Sequence, residues 1–207
     1  MGIAMTPTKG NLMAAKNTLR LSKQGYEMLD RKRNILIREM MLLIEKAKDV
    51  EARIETTFAE AYRALAGANI MMGVSSVSHY AHTAVIDDGI KISLRSVMGV
   101  ELPVVKKKSG VDRPMYSFYA TTSALDEATM KFSEVKTLSL ELAEIENAVY
   151  RLAMNIKKTQ KRANALENIT IPLYERLTKE ISSALEEKER EEHTRLKVIK
   201  KQKEADE

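Results

Sequence analysis

The residues of this chain that could bind a metal are few, and their spacing does not form a recognised site. His79 and His82 are three positions apart, a spacing that can place two ligands on one face of a helix. The nearest carboxylates belong to Asp87 and Asp88, the third histidine is distant at His193, and the sequence has no cysteine. We therefore expect no metal site, and disulfides and thiolate chemistry are excluded.

Motifs for phosphate binding and covalent catalysis are also missing from the sequence. Thr8-Lys9-Gly10 reproduces only part of a phosphate-binding loop, which needs the full Gly-x-x-x-x-Gly-Lys-Ser/Thr spacing. No nucleophile-elbow motif occurs, and the many acidic residues fall on helical faces that we expect to be exposed. The sequence therefore predicts a non-catalytic protein without a cofactor.

The dominant pattern in the chain is an apolar repeat with spacings of three and four from Leu12 to Ala68, uninterrupted by proline. Such a heptad seam is typical of a coiled coil, so residues 1–67 are predicted to form an N-terminal helix. Ser22 and Thr57 occupy seam positions and are small enough to pack there. Arg33 also lies on the seam, and we expect it to reach outward or to meet a carboxylate or a partner, because an unpaired buried guanidinium is costly.

Positive charge is concentrated at the start of this helix. The chain carries a net charge of +5, and the first 40 residues hold a clear excess of basic residues. A basic helix end attracts nucleic acid, anionic lipid or an acidic protein cavity, although a solvated helical face is the alternative. The basic residues are Lys9, Lys16, Arg20, Lys23, Arg31, Lys32, Arg33 and Arg38.

The middle of the chain, residues 68–122, loses the heptad pattern. A short helix is predicted near residues 68–83 and should end at the Asp87-Asp88-Gly89 turn. Apolar residues then alternate with polar ones, which predicts a β-hairpin at about residues 90–105 with Gly99 in its turn. Pro103 suggests an edge position on the second strand.

A second long helix is predicted over residues 123–207. Ser123 with Asp126 three positions later resembles a capping box. Thr6, Pro7 and Thr8 open the first helix in a similar way, because threonine is a suitable N-cap and proline suits the first turn. Inside the second helix, Pro172 cannot donate to the carbonyl of Asn168, so a bend is predicted there, or alternatively a break into two helices.

These elements predict a mainly α-helical fold in which the N- and C-terminal helices form a long antiparallel two-helix coiled coil. If Ala68 meets the region of Leu125, the numbers of paired residues add up to about 193, and Leu12 lies opposite Ile181. The small central region would then join the two helices.

Beside the main seam lies an additional apolar stripe on each helix. We interpret these stripes as a groove for a helix of another protein, although a broad seam with scattered exposed apolar residues is the alternative. The groove residues are Ile37, Met41, Ile44, Leu140, Tyr150 and Met154.

Three stretches of the sequence resemble one known family. They are Thr6-Pro-Thr-Lys-Gly-Asn-Leu12 with Leu29-Asp-Arg-Lys-Arg-Asn34, then Arg95-Ser-Val-Met-Gly-Val-Glu-Leu-Pro103, and finally Ala165-Leu-Glu-Asn-Ile-Thr-Ile-Pro172 with Leu185-Glu-Glu-Lys-Glu-Arg-Glu-Glu-His-Thr-Arg-Leu-Lys197. In this order they are similar to the D subunit of the archaeal-type and vacuolar-type (A/V-type) rotary ATPases, and the resemblance spans nearly the whole chain.

The resemblance implies a central-stalk rotor shaft without catalytic residues. In this family the paired terminal helices enter a hexamer of catalytic and non-catalytic subunits (the A and B subunits), the F subunit binds the side of the shaft, and the base docks on a funnel-shaped subunit above the membrane ring. Torque passes between ATP chemistry and ion flow. We assign the basic residues to the hexamer cavity and the groove residues to the F subunit, and we expect the hairpin at the foot or flank.

Two other functions remain as alternatives. A non-rotary coiled-coil scaffold or tether would tend to form parallel homodimers, whereas a shaft should be monomeric alone. A nucleic-acid-binding coiled coil would use the positive charge, but the sequence shows no aromatic platform or groove-reading motif. No signal-peptide pattern and no apolar run of about 18 residues occur, so we expect a soluble cytoplasmic protein without direct membrane insertion. The resemblance further implies that it is peripheral to the membrane through the ATPase complex.

Overall fold

The computed structural model describes residues 6–82, 89–107 and 116–206. The predicted mainly helical fold is confirmed, with a short helix and a β-hairpin between two long helical segments. In chain order the elements are α1 (Lys9–Met72), α2 (Val74–His82), β1 (Ile90–Val97), β2 (Val100–Lys107), a 3₁₀ turn (Phe118–Ala120), α3 (Ser123–Ala165), a π turn (Leu166–Thr170) and α4 (Ile171–Asp206).

Helix α1 is capped at its start and ends later than predicted. The Thr8 hydroxyl accepts a hydrogen bond from the backbone N–H of Asn11 at 3.2 Å, so Thr8 is the N-cap. Pro7 precedes the helix and does not lie in its first turn. The helix continues through Gly67 and stops at Met72. It stops there because Gly73 has a φ of +81°, a left-handed conformation that glycine adopts without steric cost.

Helix α3 begins at Ser123, as predicted, but its capping box does not form as expected. The carboxylate of Asp126 accepts a hydrogen bond from the hydroxyl of Tyr116 at 2.6 Å. The Leu125 backbone N–H donates to the carbonyl of Thr122 at 2.9 Å. Asp126 therefore ties the segment before α3 to the helix and does not close the helix on its own first turn.

The chain around Pro172 remains helical but changes its hydrogen-bonding pattern. In the π turn Leu166–Thr170, the N–H of Ile171 bonds to the carbonyl of Leu166, and α4 follows directly at Ile171. A wider turn relieves the crowding by the proline ring and the loss of its N–H donor. The structure thus does not show a break into two separate helices, and the bend at Pro172 stays a prediction.

Residue contacts divide the chain into two compact units, which we call the terminal unit (residues 1–34 and 157–207) and the central unit (residues 35–156). In the terminal unit, Ala15 packs with Leu177 and Ile181, and Leu12 lies against this cluster. Leu12 thus belongs to the same cluster as Ile181, close to the position predicted for it. The predicted division into residues 1–67, 68–122 and 123–207 describes chain order and stays a prediction.

The central unit pairs the remainder of α1 with α3. Ala68 shares a buried cluster with Leu125, which is the pairing assumed from the sequence. A larger cluster joins Leu36 of α1 to Ala148 and Leu152 of α3. Because residue numbers rise along α1 while they fall along α3, the two helices are antiparallel.

The hairpin belongs to the central unit and uses only one of its faces for packing. Met98 and Gly99 form its two-residue turn with φ values of 50° and 74°, which matches the type I′ geometry favoured in hairpins. Val100 and Leu102 are buried in the cluster around Leu36 and Leu152. The sequence left the hairpin's support open, and the structure shows that the chain's own helices supply it.

Candidate partner interfaces

The histidine pair does not form part of a metal site in the described structure. Within residues 6–82, 89–107 and 116–206, no group of three metal-binding side chains comes together. The ring of His79 contacts that of Tyr80 edge-on, with centroids 6.1 Å apart. Asp87 and Asp88, with the turn predicted for them, lie outside the described residues. Among the helices described, none is both long and apolar enough to cross a membrane.

The predicted basic residues differ in whether the chain itself neutralises them. Lys9 contacts Glu189 at 2.9 Å, and Lys23 contacts Glu175 at 2.7 Å. Arg31 lies 3.9 Å from Glu27 on the same helix. The hydrogen bond from Lys9 to Glu189 raises the pKa of Lys9 above its usual value. These acidic partners reduce the positive charge that another molecule would meet.

Arg33 can occupy a seam position because its guanidinium N–H groups have partners within the chain. Its guanidinium forms an ion pair with Asp30 one turn earlier and donates a 2.7 Å hydrogen bond to the amide oxygen of Gln160. Gln160 in turn donates to Asn164 at 2.7 Å. The expectation that Arg33 meets a carboxylate is confirmed. This network joins α1 to α3 within the terminal unit, so Arg33 is first of all a structural residue.

The remaining basic residues have no ion-pair partner in the described part of the chain. Lys16 and Arg20 are exposed and Lys32 is half-buried, all in the terminal unit, while Arg38 is exposed in the central unit. Their charges are therefore available to another molecule, with little competition from the chain's own carboxylates. The assignment of the basic residues to a hexamer cavity stays a prediction. These four residues are its strongest candidates, because their charges are not paired within the described chain.

The six residues predicted to form a groove all lie in the central unit, but they do not share one face. Leu152 is 0% exposed, and Tyr150 and Met154 are two positions before and after it. At about 100° per residue, both lie on the side of α3 opposite to Leu152. Met41 is exposed on α1, Ile37 and Ile44 are half-buried beside it, and Leu140 is half-buried on α3.

These positions favour two separate apolar strips over one groove. The first is the α1 strip, which consists of Ile37, Met41 and Ile44. The second is the α3 strip, which consists of Tyr150 and Met154. Both strips remain predicted interfaces, and each needs its own test.

Several groups that hold the hairpin were not identified from the sequence. Arg95 of β1 forms an ion pair with Glu39 of α1 at 2.9 Å. On the other side, Glu144 and Arg151 of α3 bond to backbone groups of β2. Glu39, Glu144 and Arg151 lie on helical faces that the sequence pattern marks as solvent-facing, and Arg95 is one of the polar residues that alternate along β1. Only the docked position of the hairpin identifies them as partners.

An exposed apolar patch at the junction of α1 and α2 was also missed. Ile70, Met71 and Val74 are all largely exposed, on either side of Gly73. No single heptad position marks them, because they follow the predicted end of the helix. Their exposure makes this junction a candidate contact surface, since clustered exposed apolar residues often mark interaction sites.

This arrangement defines the class of protein. A long N-terminal helix pairs in antiparallel fashion with a long C-terminal helical segment of the same chain, and a short helix and a hairpin lie between them, so the chain is a helical protein of the coiled-coil type.

Comparison with known proteins places this fold in a family. The family model for the ATP synthase D subunit matches residues 11–201. The D subunit of a V-type ATP synthase from Thermotoga neapolitana is 46% identical over 96% of this chain and 98% of its own length. The D subunit of an A-type ATP synthase from Methanobrevibacter smithii is 39% identical over 95% of this chain and 86% of its own length. Its counterpart from Pyrococcus horikoshii is 34% identical over 96% and 94% of the two chains. The chain belongs to the family of ATP synthase D subunits.

Proposed function

We propose that the chain is the central-stalk rotor shaft of an A/V-type ATP synthase or ATPase, and that it transmits torque between the catalytic hexamer and the membrane ring. The observation that carries this proposal is the antiparallel pairing of both ends of one chain. In the terminal unit, this pairing is seen in the ion pairs Lys9–Glu189 and Lys23–Glu175. In the central unit, it is seen in the ion pair Glu60–Lys131.

Intramolecular pairing also distinguishes the shaft from the scaffold alternative. A parallel homodimeric tether would bury its seam against a second copy. Here Leu36 and Leu152 bury each other within one chain. The apolar seam is therefore already buried within one chain, and the chain should be monomeric before it joins a complex. A shaft of this kind has no catalytic role of its own and biases the open and closed states of the surrounding sites through differential contacts.

Rotation of the chain inside the hexamer is the direct test. Because the sequence has no cysteine, Tyr119→Cys gives a single attachment point at a residue that is 98% exposed. The labelled chain is assembled with a surface-fixed hexamer of the A and B subunits, and a bead is attached. We expect rotation in one direction when ATP is added and none without ATP. Hydrolysis with a bound but stationary chain would refute the proposal.

The hexamer cavity is proposed to contact the basic residues that lack internal partners. Lys16→Glu and Arg20→Glu should weaken binding to the hexamer more than Lys9→Glu and Lys23→Glu, whose positive charges are already paired. The difference should shrink in high salt, because screening weakens exposed charge contacts. Equal effects of the two pairs of variants, or no salt dependence, would argue against an electrostatic contact.

The F subunit is proposed to bind the side of the central unit at one of the apolar strips. Met41→Glu tests the α1 strip and Met154→Glu tests the α3 strip, each in a pull-down with the purified F subunit. Met130→Glu, also largely exposed but outside both strips, is the matched control. Loss of binding in one of the two test variants would identify the strip, and unchanged binding in both would discard this location.

The apolar patch of Ile70, Met71 and Val74 is proposed to contact the funnel-shaped subunit. In this assembly the chain would reach the membrane ring only through that subunit. The chain and the complex would lie on the cytoplasmic side, peripheral to the membrane. Ile70→Glu should weaken binding to that subunit, whereas Met13→Glu, at an exposed position near the start of α1, should not. Equal binding of both variants would remove the patch from the interface.

A further inference from the structure

The register of the hairpin determines which backbone groups point away from it. Because Met98 and Gly99 form a two-residue turn, Val97 and Val100 face each other as a hydrogen-bonded pair, and every second pair along the strands repeats this arrangement. The backbone groups of the remaining residues point outward. These are residues 90, 92, 94 and 96 in β1 and residues 101, 103, 105 and 107 in β2.

The outer edge of β2 is closed by side chains of the same molecule. The carbonyl of Glu101 accepts a hydrogen bond from Arg151 at 3.1 Å, and the N–H of Val105 donates to Glu144 at 2.7 Å. Between them, Pro103 has no N–H to offer. Proteins protect an edge strand by such means when it must not pair with another chain.

The outer edge of β1 has no comparable protection in the described part of the chain. Among the described residues the sheet has two strands, and no side chain there bonds to the outward amides of Ile92 and Leu94. The side chains of these two residues are 70% and 58% exposed, on the face opposite to the buried Val100 and Leu102. An apolar strand with a free edge in an otherwise well-packed unit is a template for strand addition.

We propose that β1 is a docking site for an extended segment of a partner protein, which adds a third strand and alternates apolar with acidic residues. Its apolar side chains would lie beside Ile92 and Leu94 on the exposed face. Its acidic side chains would lie on the other face beside Lys91, which is exposed and has no ion-pair partner among the described residues. Arg95 lies in the same row, but its charge is already paired with Glu39.

The same charges disfavour a second copy of this chain as the occupant. Antiparallel pairing of β1 with itself about Ser93 would place Lys91 opposite Arg95 of the other copy. Like charges directly opposite each other in a sheet are destabilising. An acidic partner strand avoids this repulsion and gains its attraction at Lys91, because Arg95 is already paired with Glu39 within each copy.

The test uses the full-length chain and a defined probe, the peptide acetyl-Val-Glu-Val-Glu-Val-Glu-Val-amide. Amide hydrogen exchange is measured at each residue of β1. We expect a saturating peptide to slow exchange at Ile92 and Leu94 by at least about tenfold, since only a bonded strand protects outward amides. A peptide of the same composition with its Val and Glu residues in two blocks should give no protection.

Variants separate backbone pairing from simple apolar contact. Leu94→Pro removes one outward N–H and leaves the bonds to β2 intact, as Pro103 does at the position opposite. It should weaken peptide binding at least about tenfold, whereas Leu94→Thr, which keeps the N–H, should weaken it less. Unchanged exchange at Val97 and Val100 confirms that the hairpin remains folded in the proline variant.

A charge variant tests the proposal without changing the strand edge. Lys91→Glu should weaken binding several-fold through like-charge repulsion, and Lys48→Glu, at an exposed position on α1, should not. Equal binding of the two peptides, or equal binding of the proline and threonine variants, would overturn strand addition. A dimer that protects β1 without peptide would overturn the choice of partner and assign the edge to a second copy.

Discussion

The Leu152 side chain is predicted to hold the hairpin to the helices, and its truncation measures that contribution. Leu152 is 0% exposed and shares its cluster with Leu36, Val100 and Leu102. A buried Leu→Ala change costs about 2–5 kcal/mol, because it removes transfer free energy and leaves a cavity. Since about 1.4 kcal/mol corresponds to a tenfold change in an equilibrium constant, local opening should increase by about 30-fold to a few thousandfold.

Hydrogen exchange on the intact chain reports this opening directly. The ladder amides of Val97, Val100 and Leu102 should exchange faster in Leu152→Ala by the same factor, provided that exchange occurs through opening of the hairpin. The matched control is Met154→Ala, two positions along the same helix and 53% exposed. Leucine and methionine have similar helix propensities, so the comparison isolates packing.

Two outcomes would refute the reasoning. If Leu152→Ala and Met154→Ala accelerate hairpin exchange equally, burial at position 152 does not hold the hairpin. If Leu152→Ala lowers the urea midpoint of the helices but leaves exchange at Val100 and Leu102 unchanged, the cluster stabilises the helix pair and the hairpin is held elsewhere. The control variant should change the free energy of unfolding by no more than about 0.5 kcal/mol, as is usual for exposed positions.

Three further predictions concern polar contacts and backbone strain. The contact between Lys131 and Glu60 at 2.6 Å lowers the pKa of Glu60 below its ordinary 4.5. The stabilising effect of this ion pair should therefore be full above pH 4.5 and be lost as the pH falls further. The difference in urea midpoint between the wild type and Glu60→Gln should be larger at about pH 7 than at about pH 3. A double-mutant cycle of Arg33→Ala and Gln160→Ala, measured by urea unfolding, should give a coupling free energy of about 0.5–1.5 kcal/mol, and zero coupling would contradict the network described for the terminal unit. Met98→Asn should stabilise the hairpin by up to about 1 kcal/mol, seen as slower exchange at Val97 and Val100, because asparagine tolerates the φ of 50° better than methionine; faster exchange would be inconsistent with the type I′ turn.

The local pattern of the sequence was sufficient to predict the elements and their pairing. Heptad spacing from Leu12 to Ala68 predicts a helix regardless of its partner, because the period of about 3.6 residues belongs to the backbone. Alternation after Gly89 predicts the hairpin for the same reason. The numbering rule for paired helices followed from a single assumed contact between Ala68 and Leu125, since the spacing along each helix is fixed.

Helix ends were less well predicted because competing local interactions decide them. Gly67 and Gly73 are both possible stops, and only the left-handed φ of Gly73 makes it the end of α1. Asp126 suits a capping box, but its carboxylate accepts a hydrogen bond from the hydroxyl of Tyr116 instead. Around Pro172 the sequence predicted a bend or a break, whereas the structure continues the helix through the π turn Leu166–Thr170, which no residue pattern marked.

The sequence by itself determined which residues are apolar, charged or strand-forming, because these properties depend on the side chains and on the period of the backbone. Only the tertiary structure decided which of them remain available to a partner. Docking of the hairpin buried Val100 and Leu102 and left Ile92 and Leu94 exposed, and ion pairs neutralised Lys9 and Lys23 but not Lys16. Exposure and charge pairing depend on contacts between residues that are distant in the chain, and such contacts exist only after folding.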